Sequence, residues 1–179
     1  MTMADHEASR SPALRRLPEE LASSTTFLLK RLGFAAKDQA MRAYEPTGLH
    51  PYHHAVLAVL DEGSLETQGA IADALGYDRG QLVGLLDELE ERGLVERQRD
   101  PADRRRHIVR MTPDGRRALG KLRTLARGLE DDFLAALDDD ERAELHTLMR
   151  RLAQRHLPAC APKGAESGSS RRDAAKPSQ

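Results

Sequence analysis

A cluster of arginines is the feature of this sequence with the clearest chemical meaning. Between Arg97 and Arg110 there are six arginines and two aspartates, whereas the whole chain carries a net charge of −1. At the tip of a hairpin, guanidinium groups can enter a narrow DNA minor groove, where the negative potential is strongest. Such a cluster can equally be a solvated surface, so its meaning depends on the elements that carry it. The candidate DNA-binding residues of this region are Arg97, Asp103, Arg104, Arg105 and Arg106.

A second set of polar residues stands at the start of two short predicted helices. Thr67 and Gln68 open the first, which runs to about Leu75. There a hydroxyl, an amide and free backbone N–H groups can hold a DNA phosphate.

The next predicted helix follows a tight turn and has the right size for a DNA major groove. Asp78, itself a candidate DNA contact, can cap it, and Gln81 completes a capping-box pattern. Arg79 and Gln81 lie in its first turn, where Arg can pair with guanine and Gln with adenine, and Val83 can contact a thymine methyl group. The alternative is that Gln81 serves only the cap.

Three histidines and one cysteine are candidates for other chemistry. His50, His53 and His54 have a spacing that can present two imidazoles to one metal on a helix, so a metal-responsive regulator stays open as an alternative. No Asp, Glu or Cys is adjacent, and we expect no metal and no cofactor. Cys160, the single cysteine, excludes an intrachain disulfide and a cysteine-based zinc cluster. No nucleophile–base arrangement or phosphate loop is present, so we expect no enzyme.

Helical and alternating periodicities then place these residues in a fold. Apolar residues recur at helical spacing from Leu21 to Ala36 in one helix opened by Pro18, and again in a helix opened by Pro51. After Gly93 the pattern alternates, which predicts strands over 94–99 and 106–111 joined by a hairpin tip. Long helical patterns follow Pro113 and Asp138. The predicted fold is mainly α with a small β-hairpin wing: a winged helix-turn-helix DNA-binding domain plus a helical dimerisation domain.

The predicted organisation has five parts. We expect a flexible N-terminus (1–17), an N-terminal dimerisation helix and loop (18–48), the winged helix-turn-helix domain (49–115), C-terminal dimerisation helices (116–157) and a disordered tail (158–179). The longest apolar run, Ala55 to Leu60, is too short to span a bilayer. Without a secretory signal pattern, the expected location is the cytoplasm, away from any membrane.

Three short motifs around the predicted hairpin resemble the MarR (multiple antibiotic resistance regulator) family. They are Gly93–Leu94–Val95–Glu96–Arg97, Asp100–Pro101–Ala102–Asp103–Arg104–Arg105 and Met111–Thr112–Pro113–Asp114–Gly115. The resemblance implies a homodimer on a palindromic double-stranded DNA site and repression relieved by a small ligand. It also implies that Asp103 and Arg105 are paired, with Arg105 in the minor groove.

One part of the sequence departs from that family pattern. Gly80, Val83 and Gly84 stand on the recognition helix where relatives usually carry polar or basic residues. A winged-helix module that binds a protein instead of DNA is therefore the alternative.

The expected ligand crevice lies where the first, second and fifth predicted helices meet. Its candidate lining residues are Phe27, Arg31, Tyr44, Tyr52 and His53. Arginine and histidine beside aromatic rings suit an aromatic or organic acid. The alternative is that the aromatic residues fill the core and Arg31 is solvated.

Overall fold

The structure is a computed structural model that describes residues 17–63, 67–100 and 107–157. In these ranges the helices are α1 (Glu19–Ala22), α2 (Thr25–Tyr44), α3 (Pro51–Asp61), α4 (Gln68–Leu75), α5 (Arg79–Glu91), α6 (Pro113–Phe133) and α7 (Asp139–His156). A 3₁₀ turn, Glu45–Thr47, follows α2, and the strands are β1 (Val95–Arg99) and β2 (His107–Met111). The predictions for the N-terminus up to residue 16, for the hairpin tip at 101–106 and for the tail with Cys160 lie outside the described residues.

The predicted fold class is confirmed. β1 and β2 pair antiparallel from Val95 opposite Met111 to Arg99 opposite His107. Thr67 adds an isolated antiparallel bridge to Ile108, so the residue that precedes α4 is attached to the hairpin. None of the described helices has the length and apolar character needed to cross a membrane.

The core lies where α3, α4, α5 and the hairpin meet the first half of α6. Its buried apolar residues are Tyr44, Val56, Leu57, Ile71, Ala72, Leu82, Leu85, Leu86, Leu89, Val95, Val109, Leu119 and Leu122. The four buried leucines of α5 follow the three- and four-residue spacing of one helix face. Because that face packs into the core, the opposite face of α5 is turned toward solvent. In contrast, α7 has no buried residue.

The prediction of a single first helix is wrong, because the helix is interrupted at Ser23 and Ser24, between α1 and α2. The Ser23 hydroxyl donates to the Glu19 carbonyl at 2.9 Å. Ser24 has extended backbone angles, and its hydroxyl oxygen accepts from the Phe27 N–H at 3.3 Å. Serine side chains compete for backbone groups in this way and favour helix ends, so two consecutive serines end one helix and cap the next.

The start of α3 is capped by histidines instead of the usual serine or threonine. The Tyr52 N–H donates to His50 Nδ1 at 3.4 Å, and the His50 N–H donates to His53 Nδ1 at 3.1 Å. Two imidazoles thus satisfy donors at the helix terminus and define Pro51 as its first residue.

The wing is joined to α6 by a compact set of backbone contacts. The Thr112 N–H donates to the Leu94 carbonyl at 3.0 Å, and the Thr112 hydroxyl donates to the Gly93 carbonyl at 2.7 Å. The Gly115 N–H in turn donates to the Thr112 hydroxyl at 3.0 Å. A methyl group on Gly115 would overlap the Leu94 carbonyl, so only glycine fits at this close approach. Two of the short motifs in the sequence therefore meet at one junction.

Candidate nucleic-acid interface

The start of α4 is held against the wing by Thr67. Its hydroxyl oxygen accepts from the Ala70 N–H at 3.3 Å, while its backbone bridges to Ile108. The hydroxyl hydrogen stays available as a donor, and the first N–H groups of α4 point out of the helix end. This is the arrangement that holds a phosphate oxygen at a helix N-terminus.

The start of α5 is fixed by Asp78, whose Oδ1 accepts from the Gln81 N–H at 2.9 Å. Only half of the predicted capping box forms, because the Gln81 side chain makes no return hydrogen bond to the Asp78 backbone. Gln81 and Arg79 are both exposed. Their side chains are therefore free to reach outward from the first turn of the helix, whereas Asp78 serves the cap.

The two helix starts and the wing enclose one concave surface. It has a volume of about 550 Å³, and its lining includes Thr67, Gln68, Arg79, Val83 and His107. Val83 is 40% exposed although it is apolar. Four of the residues predicted from the two helices thus lie on a single surface, together with the first residue of β2.

Arg97 is bound to α5 by contacts that the sequence did not predict. Its Nε and Nη2 donate to Glu90 Oε2 at 2.8 and 2.5 Å, its backbone N–H donates to Glu90 Oε1 at 3.1 Å, and Nη2 lies 2.6 Å from Asp87 Oδ1. Hydrogen bonding from Arg97 lowers the pKa of the Glu90 carboxyl group. Because two carboxylates of α5 hold this guanidinium, Arg97 joins β1 to α5, and a contact of Arg97 with DNA stays a prediction from the sequence.

The remaining wing candidates cannot be placed in this way. Asp103, Arg104, Arg105 and Arg106 lie outside the described residues. The described strands do lead into that tip from Arg99 and into β2 at His107. Their role in binding DNA stays a prediction from the sequence.

A buried histidine contacts α5 from α3. His53 is 2% exposed, and its Nε2 lies 3.2 Å from Glu88 Oε2. The contact has ion-pair distance but not the alignment of a hydrogen bond. Burial lowers the pKa of His53, and the nearby charge of Glu88 opposes that shift. The neutral imidazole accepts at Nδ1 from the His50 N–H and faces the recognition helix with its Nε2–H.

The five residues proposed for a ligand crevice do not meet within one protomer. Phe27 precedes Tyr44 by 17 positions on α2, a separation of about 25 Å along a helix, and Arg31 is exposed in the same N-terminal half. Tyr44 is buried. The ring of Tyr52 packs edge-on against Tyr77, with centroids 5.5 Å apart. Tyr44, Tyr52 and His53 thus belong to the core around α3, whereas Phe27, half-buried on α2, is not part of that core.

A crevice does exist beside them, between α3 and α6. It has a volume of about 260 Å³ and is lined by His54, Arg123, Ala126, Arg127 and Glu130. The Tyr44 hydroxyl lies 2.7 Å from His54 Nδ1, and Arg123 Nη2 lies 2.8 Å from Asp61 Oδ2. Burial and then the charge of Arg123 lower the pKa of His54. We name this site the α3–α6 crevice.

Sequence reasoning missed the α3–α6 crevice by one position on α3. His53 and His54 are adjacent, yet His53 faces α5 and His54 faces α6. The spacing of Arg123 and Arg127 was a usable signal, because residues four apart share a helix face. In the part of the chain that the structure describes, no three potential metal ligands lie together, and the Nδ1 atoms of His50, His53 and His54 all contact other groups of the chain.

Comparison with known proteins agrees with this geometry. A model of the MarR family matches residues 47–106. The chain is 36% identical over 133 residues to a putative transcriptional regulatory protein for the hcr operon of Thauera aromatica, an alignment that covers 74% of this chain and 80% of that protein.

Solved structures of a named repressor are also similar. The transcriptional repressor CouR bound to a 23-mer DNA duplex superposes with a TM-score of 0.70 at 34% identity, covering 77% of this chain and 99% of that one. CouR from Rhodococcus jostii RHA1 bound to p-coumaroyl-CoA gives 0.67 at 27% identity, covering 83% and 100%. These relatives are regulators of transcription. The chain belongs to the MarR family and is a DNA-binding transcriptional regulator.

Proposed function

We propose that the protein is a homodimeric repressor that binds a palindromic DNA site and releases it when an organic acid occupies the α3–α6 crevice. The observation that carries the proposal is the single concave surface formed by the starts of α4 and α5 and by the wing. A duplex lying on that surface would have phosphates at Thr67 and Gln68 and base edges at Arg79 and Val83. Gln81, exposed in the same first turn of α5 but outside that lining, would be a further base contact. The wing tip, with Asp103 pairing Arg105, would follow the adjacent minor groove. In a bacterial cell such a regulator acts in the cytoplasm, and we propose no catalytic activity for it.

Dimerisation is supported by apolar side chains on the terminal helices. Leu28, Leu32 and Phe34 of α2 and Leu148, Met149 and Leu152 of α7 are all 42–56% exposed. Exposed apolar patches of this kind mark association surfaces. A symmetric dimer built on them would present two recognition helices to half-sites about 34 Å apart.

The ligand class follows from the chemistry of the α3–α6 crevice. Arg123 is partly neutralised by Asp61, whereas Arg127 lies within 4 Å of no carboxylate in the described residues. The lining also includes the carboxylate of Glu130, which does not lie within 4 Å of the Arg127 guanidinium. An unpaired guanidinium beside His54 and an alanine suits a carboxylate on a small apolar body. One relative, CouR, is bound in its structure to an aromatic acyl thioester, which makes an aromatic acid or its derivative the first class to test.

The DNA proposal can be tested by comparing Arg79→Ala with Arg155→Ala. Arg155 is an exposed arginine near the end of α7, so its variant removes the same charge far from the proposed surface. Binding is measured on the DNA upstream of the protein's own gene, and each variant also selects sites from random DNA. Arg79→Ala should lose preference at one position of each half-site and about 1–3 kcal/mol of affinity. An unchanged motif would mean that Arg79 does not read bases.

The ligand proposal is tested by titrating benzoate and p-coumarate into the protein–DNA complex. An effector can release DNA only if it binds the free protein more tightly than the bound one. Arg127→Gln should weaken that release at least tenfold, and Arg155→Gln should not. Equal responses of both variants would remove the α3–α6 crevice from the mechanism.

A further inference from the structure

A second cleft lies on the other side of α6, between the 3₁₀ turn after α2 and the C-terminal end of α5. Its volume is about 520 Å³. Leu49, Leu94 and Leu122 give it apolar walls, and Arg92, Arg117 and Lys121 supply positive charge. We name it the rear cleft. Neither the DNA surface nor the α3–α6 crevice uses any of these residues.

The charges of the rear cleft are not balanced within the protein. Arg117 pairs with Asp114 of the same helix, which is the acidic residue of the lining. In the described ranges, neither Arg92 nor Lys121 has a carboxylate within 4 Å, as the ion pairs of the chain involve other residues. Three cations and one carboxylate around an apolar floor form a site for an anion that carries more than one negative charge.

The Arg92 side chain lies over the backbone of Gly48. Gly48 has a φ of +66°, and a methyl group at this position would lie 3.0 Å from Arg92 Nη1. The guanidinium thus lies beside a glycine that the left-handed backbone requires. A cation positioned before a ligand arrives loses less conformational entropy on binding it.

The position of the rear cleft separates it from the other two sites. Arg92 follows Arg79 by 13 positions on α5, a distance of about 20 Å from the base-reading turn. On α6, at about 100° per residue, Arg117 and Lys121 lie about 120° around the helix from Arg123 and Arg127 and line a different cavity. A duplex on the recognition surface and an acid in the α3–α6 crevice would therefore leave the rear cleft open.

We propose that the rear cleft is a second small-molecule site, which binds compounds with a doubly charged anionic group, such as a phosphate monoester, on a small apolar body. The anion would lie between Arg92 and Lys121, with Arg117 at its edge, and the apolar part would lie on the leucines. A ligand in this position contacts the 3₁₀ turn, α5 and α6 together, so it would stabilise the folded protein by mass action.

The experiment uses phenyl phosphate as the probe, with phenol as the uncharged analogue, on the full-length protein. Calorimetric titration at low ionic strength should show one phenyl phosphate per protomer below about 10 mM and no binding of phenol, as suits so small a ligand. The double variant Arg92→Gln/Lys121→Gln should weaken binding at least tenfold, because glutamine keeps part of the aliphatic stem but no charge. The matched control is Arg123→Gln/Arg127→Gln, which removes the same net charge from the other face of α6.

Each outcome decides the proposal. Loss of binding in Arg92→Gln/Lys121→Gln with retention in Arg123→Gln/Arg127→Gln supports it. Absence of binding to the wild-type protein, equal weakening in both variants, or loss only in the control would each overturn it. Melting temperatures check that the variants fold. If the double variant Arg92→Gln/Lys121→Gln does not fold, the single variant Lys121→Gln replaces it. Operator affinity is recorded separately, so a failure of the DNA proposal would be visible whatever phenyl phosphate does.

Discussion

The winged unit, residues 51–111, and the terminal helices α1, α2 and α7 bury their apolar side chains to very different extents. Most of the core lies in the winged unit, whereas Tyr44 is the single buried residue of the three terminal helices. Among the described residues, Val83 is the only large apolar residue of the winged unit that is exposed, and it lies on the proposed DNA surface. The comparison indicates that the winged unit is complete within one chain, while the terminal helices require a second copy.

The largest expected effect comes from the junction that joins the winged unit to α6. Gly115→Ala would place a methyl group against the Leu94 carbonyl, which already accepts from the Thr112 N–H. Because that backbone cannot move without losing the hydrogen bond, we expect a loss of about 3 kcal/mol in the free energy of unfolding. Urea denaturation measures it. The control is Gly120→Ala on the same helix, where a methyl group meets no atom within 4 Å and should stabilise by about 0.5–1 kcal/mol.

The next effect should appear in assembly. Leu148→Glu places a charge on the apolar face of α7, where Leu148 is 46% exposed in the single chain. If that face is buried in a dimer, the variant should weaken dimerisation by about 2 kcal/mol per protomer while most of the helical circular dichroism stays. Sedimentation equilibrium gives the dissociation constant. Gln154→Glu lies on the opposite face of α7 and should dimerise as the wild type does, so equal behaviour of the two variants would argue against this interface.

A smaller effect separates an ion-paired arginine of the winged unit from an exposed one on the same strand. Arg97 is half-buried and donates charge-assisted hydrogen bonds to Glu90 beside Asp87. Arg97→Ala removes these bonds and leaves the two carboxylates without their partner. We expect a loss of about 1–2 kcal/mol in unfolding free energy. Arg99→Ala, two positions along the same strand and exposed, should change stability by less than about 0.5 kcal/mol. A reversed order of the two variants in thermal denaturation would contradict the role assigned to Arg97.

The sequence predicted the winged unit more accurately than the terminal helices. In the winged unit, periodicity and caps depend on neighbouring residues, and the helix starts at Gln68 and Arg79 were placed within a residue. The break at Ser23 and Ser24 was missed because each serine is also tolerated inside a helix, and only the backbone geometry shows that both leave it.

Side-chain partners were harder to predict than elements. The binding of Arg97 by Asp87 and Glu90 depends on how β1 lies across α5, which no local pattern encodes. For the same reason the sequence placed His53 in a ligand crevice, when the rotation of α3 directs it to α5 and directs His54 to α6. Residue type indicated that these groups had a function, and tertiary packing decided which one.

The smallest expected effect concerns that buried histidine, and it tests how tightly α3 and α5 are joined. The groups that face His53 are Glu88, His50 and Arg92, and burial, the largest influence, lowers its pKa. A histidine with a lowered pKa in the folded state contributes stability that is present above the unfolded value of about 6.5 and is lost as the pH falls through the folded value. Stability should therefore decline between pH 7 and pH 5. The change should stay small because the Glu88 carboxylate opposes the effect of burial and is itself mostly exposed.

The variant Glu88→Gln removes the charge that opposes burial, so NMR titration should find a still lower pKa for His53. The control is Glu91→Gln, which removes another exposed acid of α5 and should leave the His53 pKa unchanged. A His53 pKa equal to that of a free histidine and unresponsive to Glu88→Gln would mean that Nε2 is open to solvent and that the contact between α3 and α5 does not persist. A pKa above that of a free histidine would mean that the Glu88 carboxylate outweighs burial, against the sign expected here.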